Sequence, residues 1–377
     1  GRFFAEGAET EQVQAGVIRL ARTAADPLSV AGLVGRALLV LALLGATAWG
    51  ALALLYSVPA DAPVGALLAG VFSLAGVASA FAVGARWRTW AVLSGFCALF
   101  LSLLGWWSRI EPSNERDWQP DVARLAYAEI DGERVTVRNV RNFSYRSETD
   151  YTPGYYDRTY DLAKLRSVDL IAVYWMGPAI AHTMLSFGFE GGEQLAISIE
   201  TRKERGEDYS TTRGFFKQYE LYYVVADERD VVRLRTNYRQ NPPEDVHVYR
   251  LHGSIENGRR VFLQYMQRIN ALKARPEFYN TLIDNCTTGI WMNARINPGH
   301  VPLSWKVFAS GYLPEYLHGV GMLAPGVPFA ELQRLGHVNA RAQAADGEAD
   351  FSRLIRIGVP GPEDAGKRTA AAQFVID

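Results

Sequence analysis

The chain has 377 residues, 49% of them hydrophobic, and a formal net charge of −1. That balance argues against nucleic acid as a partner, because no basic surplus is available to neutralise phosphates. With 2 cysteines in all, one of them inside an apolar run, no disulfide can staple the remainder.

Residues 1–30 are expected to form a short cytoplasmic lead, helical over 11–23, with an initiator segment ahead of Gly1. Three charge-free apolar runs follow, at 37–60, 62–85 and 89–108. Each reaches the ~20 residues that cross a ~30 Å hydrocarbon core, and inside lipid each must be helical. Residues 31–108 are therefore expected to be a three-helix transmembrane region. Arg19, Arg22 and Arg36 precede the first run, and Arg86 and Arg88 fill the second turn, while the first turn, 57–63, has no Lys or Arg. The bias of basic residues to the cytoplasmic side puts the N-terminus inside and everything after Ser108 outside. Trp106, Trp107 and Trp118 suit the outer interface.

Residues 109–377 are long enough for a complete core and read as one outer domain. Alternation at 135–140 predicts a strand, and 151–156 reads as an aromatic-rich turn. The β-branched run at 168–175 predicts another strand. Strands are expected at 181–189 and 195–201, joined by a hairpin at Glu190-Gly191-Gly192-Glu193. A short strand is expected at 245–251. Residues 256–274 show helical periodicity, with Ile255, Phe262, Met266, Ile269 and Leu272 in one stripe, and Arg275-Pro276 should end that helix. A second helix is expected from Cys286 through Ile290, Trp291 and Ala294, broken at Asn297-Pro298-Gly299. Strands then helices make the fold class α+β. The Pro-, Gly- and Ala-rich stretch after Gly358 is expected to be loose.

Cys97 falls in the third apolar run, so Cys286 is the one thiol available for chemistry. The plainer alternative is a small buried apolar residue. Cys286 sits where a loop becomes a helix. Amides there carry partial positive charge, lower a thiol's pKa and can hold an oxyanion. Such a thiolate needs a proton partner, and histidine suits best. On period-2 alternation His182 shares a strand face with Met184, Ser186 and Gly188, opposite Leu185, Phe187 and Phe189. His247 and His252 flank a strand and are weaker candidates; His300, His318 and His337 stand in polar or loop-like contexts. On the next strand Ser198 and Glu200 share the face opposite Leu195, Ile197 and Ile199, so either could orient the imidazole. Glu200 is preferred, since a carboxylate also stabilises imidazolium. The charge run at 201–209 reads as a solvated loop, or as a contact for phospholipid head groups through Arg202, Lys203 and Arg205. No H-E-x-x-H, paired C-x-x-C, P-loop, G-x-G-x-x-G or G-x-S-x-G occurs, so neither a metal nor a cofactor is expected.

Three stretches together carry a resemblance: Ala181-His182-Thr183-Met184-Leu185-Ser186-Phe187, the segment from Ile199-Glu200-Thr201 to Gln218-Tyr219-Glu220-Leu221, and Arg275-Pro276-Glu277 through Asn285-Cys286-Thr287-Thr288. The region 165–295 resembles the family of the Lnb N-terminal periplasmic domain, named for a bacterial lipoprotein N-acyltransferase. Residues 329–356 share the likeness, notably Asn339-Ala340-Arg341 and Asp350-Phe351-Ser352-Arg353. The resemblance implies a circularly permuted papain-like domain of the NlpC type, with histidine before cysteine and the catalytic pair at His182 and Cys286. It also implies acyl transfer from a phospholipid, through a Cys286 thioester, to the N-terminal amine of a lipoprotein. The implied location is the bacterial inner membrane, with the catalytic domain on the periplasmic side. Three spans ahead of that domain depart from the family's name-giving protein. Two alternatives stand beside this reading: a papain-like cysteine hydrolase of cell-wall peptides or acyl-amides, and a non-enzymatic membrane-anchored binding or assembly protein.

Overall fold

The computed structural model describes residues 30–57 and 62–361. The expected helix at 11–23, most of the first turn and the tail from 362 onward lie outside the described residues. The chain divides into two compact units between Glu111 and Pro112.

The first unit holds helices α1 (Val30–Ser57), α2 (Ala62–Gly84) and α3 (Thr89–Ser108). All three are long and apolar enough to cross a membrane. Their contacts depend on small residues. A Cβ at Gly50 would overlap Phe72 and Leu103, and one at Gly76 would overlap Thr47. Close backbone approach of this kind holds helices together where lipid removes the hydrophobic drive. Leu43, Phe72, Phe96 and Leu103 are buried in one cluster. Arg36, expected ahead of the first span, lies inside α1 and donates to the Val83 carbonyl at 2.9 Å. It thereby adds a second donor to a carbonyl near the end of α2 that also accepts from the Arg86 amide at 3.1 Å.

The second unit is α+β. In chain order it contains β1 (Tyr127–Asp131), β2 (Arg134–Arg141), β3 (Ser144–Tyr145), β4 (Tyr151–Thr152), β5 (Tyr155–Asp161), β6 (Leu165–Tyr174), β7 (Ala181–Phe189), β8 (Gln194–Arg202) and β9 (Glu220–Ala226). Helix α4 (Glu228–Arg233) and a π-helical turn at Leu234–Tyr238 precede β10 (Asp245–Arg250). Then come α5 (Ile255–Ala274), α6 (Cys286–Ala294), α7 (Trp305–Phe308), α8 (Leu313–Gly319), α9 (Phe329–Gly336), α10 (Asn339–Ala344) and α11 (Phe351–Leu354). The main sheet runs β1-β2-β9-β8-β7-β6-β10, with β5 also on β2. Its ladders are antiparallel except where β2 meets β9 at Arg141 and Ala226.

Both faces of this sheet are covered. Leu185, Phe187, Phe189, Leu195, Ile197 and Ile199 share one buried core with Phe262, Tyr265, Met266 and Ile269 of α5. Met184 and Ala196 fall in the opposite core, with Val338, Ala342 and Phe351 from the C-terminal region. The expected alternation along β7 and β8 is therefore real. Their hairpin turns at Gly191 and Gly192, whose φ values of 92° and 87° suit residues without a Cβ.

Two expectations need correction. Residues 151–156 are not a simple turn: β4 and the start of β5 flank Pro153-Gly154, and Tyr151 and Tyr155 pack on buried Phe143 and Tyr145. The run 201–209 is not wholly solvated. Arg202 is only 2% exposed, lies 4.1 Å from the Trp118 ring centroid, and donates to the carbonyls of Val122 and Ala123 at 3.0 and 2.9 Å. Paired in this way inside the fold, it is unavailable to a phospholipid head group. Arg205 is ion-paired with Asp117 at 2.9 Å.

Candidate active site

Cys286 is the first residue of α6, and the sequence around it explains why a helix starts there. Asn285 is extended, and its side chain accepts from the Thr287 and Thr288 amides, both at 3.0 Å. The Thr288 hydroxyl accepts in return from the Asn285 amide at 3.0 Å, completing a capping box. The cap takes the amides of Thr287 and Thr288 and leaves that of Cys286 out, at the positive end of the helix. Two contacts seat α6 on the sheet. The Thr287 and Thr183 hydroxyls lie 2.9 Å apart, and Gly289 permits close approach, since a Cβ there would stand 2.5 Å from Ile199 Cδ1.

The sheet itself opens at this point. β7 and β8 pair from Gly188↔Gln194 to Met184↔Ser198 and no further. β7 continues beside β6 as far as Tyr174↔Ala181, while β8 continues beside β9 to Arg202↔Glu220. His182, Thr183 and Glu200 thus lie past the last β7–β8 pair. A residue on a helix packed against one face can there reach side chains belonging to the other.

His182 Nε2 is 2.6 Å from Ser198 Oγ and 3.1 Å from Glu200 Oε1. Ser198 Oγ donates its own proton to Glu200 at 2.8 Å. Ser198 must therefore accept from His182, which fixes a proton on Nε2 and leaves Nδ1 as the nitrogen for the thiol. The His182 imidazole and the Thr183 amide lie near enough to the sulfur to favour its charged form. Thr287 Oγ1 is 3.7 Å from the sulfur. The structure thus brings Cys286, His182 and Glu200 together. It also places Ser198 between the imidazole and the carboxylate rather than as a substitute for the latter.

The electrostatics follow from this geometry. Burial alone would push the Cys286 thiol up, but the His182 charge and the hydrogen bonds from His182, Thr183 and Thr287 outweigh it and lower the pKa to about 7. Burial opposes a charge on His182; Glu200 overrides it, aided by Cys286 and opposed by Arg235, and the pKa rises to about 9. Burial would likewise raise Glu200, yet His182, Arg235 and Arg239 hold it well below the usual carboxylate range. Between those two pKa values the pair is thiolate and imidazolium.

Arg235 escaped the sequence reading. It sits on the π-helical turn and reaches Glu200 Oε1 at 3.1 Å and both oxygens of Glu244 at 3.3 Å. Arg239 holds Glu244 from the far side at 3.1 Å. No motif surrounds Arg235; its role depends on how one irregular turn aims it. Two other histidines are engaged elsewhere. His247 is buried, which lowers its pKa to about 4, and its Nδ1 lies 3.1 Å from the Gln333 carbonyl. His318 Nε2 lies 2.9 Å from the Val327 carbonyl. Among the described residues no group of three or more His, Cys, Asp or Glu side chains is arranged to hold a metal ion.

An apolar cleft runs along α6 behind Cys286. Thr287, Ile290, Trp291 and Ala294 line one side of it, with Val301 and side chains from α7 and α8 opposite. The space along it, open solvent included, is about 400 Å³. Two of its polar groups are turned to other uses: Trp291 Nε1 donates to the Val301 carbonyl at 2.9 Å, and the Tyr316 hydroxyl to that of Pro302 at 2.7 Å, while the His300 ring lines its rim. A smaller recess against β10 touches none of the site residues.

Residues 151–311 match the family model of the Lnb N-terminal periplasmic domain, the family expected from the sequence. His182, Ser198, Glu200, Arg235 and Cys286 all fall within the match. Residues 329–356, included in the expected likeness, lie beyond its end. Comparison with curated proteins and with solved structures finds no match.

Proposed function

We propose that the chain is a membrane-anchored cysteine acyltransferase. It takes an acyl group from a phospholipid onto Cys286 and passes it to the N-terminal amine of a lipoprotein. One juxtaposition carries this reading: an activated thiol at a helix start, with an apolar cleft along the same helix. A peptide groove would instead present unpaired donors and acceptors to a main chain, and the Trp291 and Tyr316 donors are already engaged. The family match supports both the class of enzyme and a domain on the periplasmic side. A helix-borne cysteine set against a strand-borne histidine that precedes it in the chain fits a permuted papain-like domain.

The first step begins with the thiolate. Cys286 sulfur attacks the ester carbonyl carbon, and the Cys286 amide is placed to receive the oxyanion. As the C–O bond breaks, the His182 imidazolium gives its Nδ1 proton to the departing lysophospholipid oxygen, leaving a thioester. The lipoprotein amine then attacks, its proton goes to His182, and the C–S bond breaks to return the thiolate. Ser198 and Glu200 hold Nε2 throughout, so the ring keeps its orientation as its charge changes. The spans support the same assignment. Basic residues at Arg36, Arg86 and Arg88 favour a cytoplasmic N-terminus and a periplasmic second unit at the inner membrane. Both substrates are lipid-anchored, and tethering raises their effective concentration.

The test is complementation. The chain is expressed in cells lacking their own lipoprotein N-acyltransferase, and lipoprotein N-termini are read by mass spectrometry. Acylated amines with the wild-type chain, absent with Cys286→Ala and with His182→Ala, are expected. Free amines in every case would remove the assignment.

A further inference from the structure

We propose that the acyl chain carried on Cys286 lies along α6, with Ala294 setting how much of it the protein grips. This rests on the thioester reading above. Thr287, Ile290, Trp291 and Ala294 follow the spacing of one helix face, so the cleft begins at the residue after the nucleophile and runs toward the far end of α6. Seven residues of rise span about 10 Å. An extended chain advances about 1.2 Å per bond, a third of the reach of one residue. The cleft therefore accommodates about eight or nine carbons, and a longer chain continues past Ala294.

The cleft is built to be selective at that end. The Trp291 ring is pinned by its bond to the Val301 carbonyl, giving a fixed wall. Ala294, one turn further on, is the small residue of the face, so space there depends on its missing bulk. His300, beside Trp291 with ring centroids 6.4 Å apart, is exposed and marks where the cleft turns polar. A chain gripped only this far gains affinity with each methylene up to the end of the cleft and little after it.

The experiment uses the full chain in detergent micelles with the p-nitrophenyl esters of acetate, butyrate, octanoate, dodecanoate and palmitate. Sulfur attacks the carbonyl carbon, the C–S bond forms as C–O breaks, and the electron pair leaves with nitrophenolate. Thioester on Cys286 is followed by intact mass, and each rate is divided by the rate of iodoacetamide alkylation of the same variant. The normalised rate should climb from acetate to octanoate and level off from dodecanoate. Ala294→Phe removes room for about two methylenes and should lower the octanoate-to-acetate ratio about fifteenfold, at about 0.8 kcal/mol for each. Should Ala294→Phe lose alkylation as well, the smaller Ala294→Leu decides by the same ratio. An unchanged ratio would overturn the placement of the chain while leaving the thioester reading intact. A Cys286 that reacts with iodoacetamide and with none of the esters would overturn both.

Discussion

Replacing His182 by Ala tests the electrostatic coupling of the dyad without depending on any substrate. With its partner in place the Cys286 thiol has a pKa of about 7, against an ordinary value of 9.0. At pH 7 the wild-type thiol is about half ionised and an ordinary one about 1% ionised, a difference of roughly fiftyfold in thiolate. Part of this is returned, because a less basic sulfur is a weaker nucleophile. A Brønsted slope of about 0.45 over two units costs about eightfold. Alkylation of His182→Ala by iodoacetamide should therefore be roughly sixfold slower than wild type at pH 7 and about eightfold faster once both thiols are fully ionised. With the imidazole gone, burial pushes the thiol further up, so sixfold is the smaller limit. Intact-mass measurement of alkylation between about pH 5 and 10 gives both limbs. The wild-type curve should rise near pH 7. Acylation by a phospholipid ester, whose alkoxide leaving group also needs imidazolium as the acid, should fall again as pH passes about 9. Coincident alkylation curves for the two proteins would refute the coupling, because the thiolate would then owe nothing to His182.

The neighbouring charges should move the upper limb in opposite directions. Glu200→Gln removes the charge that raises His182, so the limb moves down from about 9; Arg235→Gln removes an opposing charge, so it moves up. A shift of the same sign in both, read from the pH profile of phospholipid-ester acylation, would contradict the assigned roles. Asn285→Ala loses the cap of α6 and should cost about 1 kcal/mol in denaturant unfolding of the second unit. Arg202→Ala should cost about 2–4 kcal/mol through a cavity and unpaired carbonyls, with the alkylation profile of Cys286 unchanged. A loss of lipid binding at unaltered stability would instead restore Arg202 as a head-group contact.

The parts of the fold legible in sequence are those where one face differs from the other. β7 and β8 alternate between two cores, and their side chains carry that difference as period-2 patterning. α5 carries it as a stripe, since one side packs and the other is wet. β9 lies in the middle of the sheet and is buried along its whole length, so Glu220–Ala226 shows no alternation and went unread. The edge strand β1 is short and mostly exposed, which leaves equally little pattern. The charge run misled for a related reason. Arg202 looks like a surface residue in sequence, but it is the last residue of β8 and its guanidinium finds carbonyls and an aromatic ring inside the fold.

The site was legible one strand at a time and illegible where it depends on a turn. A cysteine at a helix start, a histidine on the second position of a strand and a Ser-x-Glu pair on the next strand are all local patterns. Convergence of the histidine with the Ser-x-Glu pair needed only that the two strands be joined by a hairpin. Arg235 has no such pattern, because a π-helical turn rotates side chains off the register that helical spacing assumes. The same limit applies to the opening of the sheet. Had β7 and β8 stayed paired past Met184 and Ser198, ladder bonds would compete for the Thr183 amide, which helps lower the Cys286 pKa. α6 would then meet a closed surface. Separation of the two strands is therefore what lets a helix on one face and an imidazole facing the other share a proton, and it is a property of strand partners rather than of any residue in them.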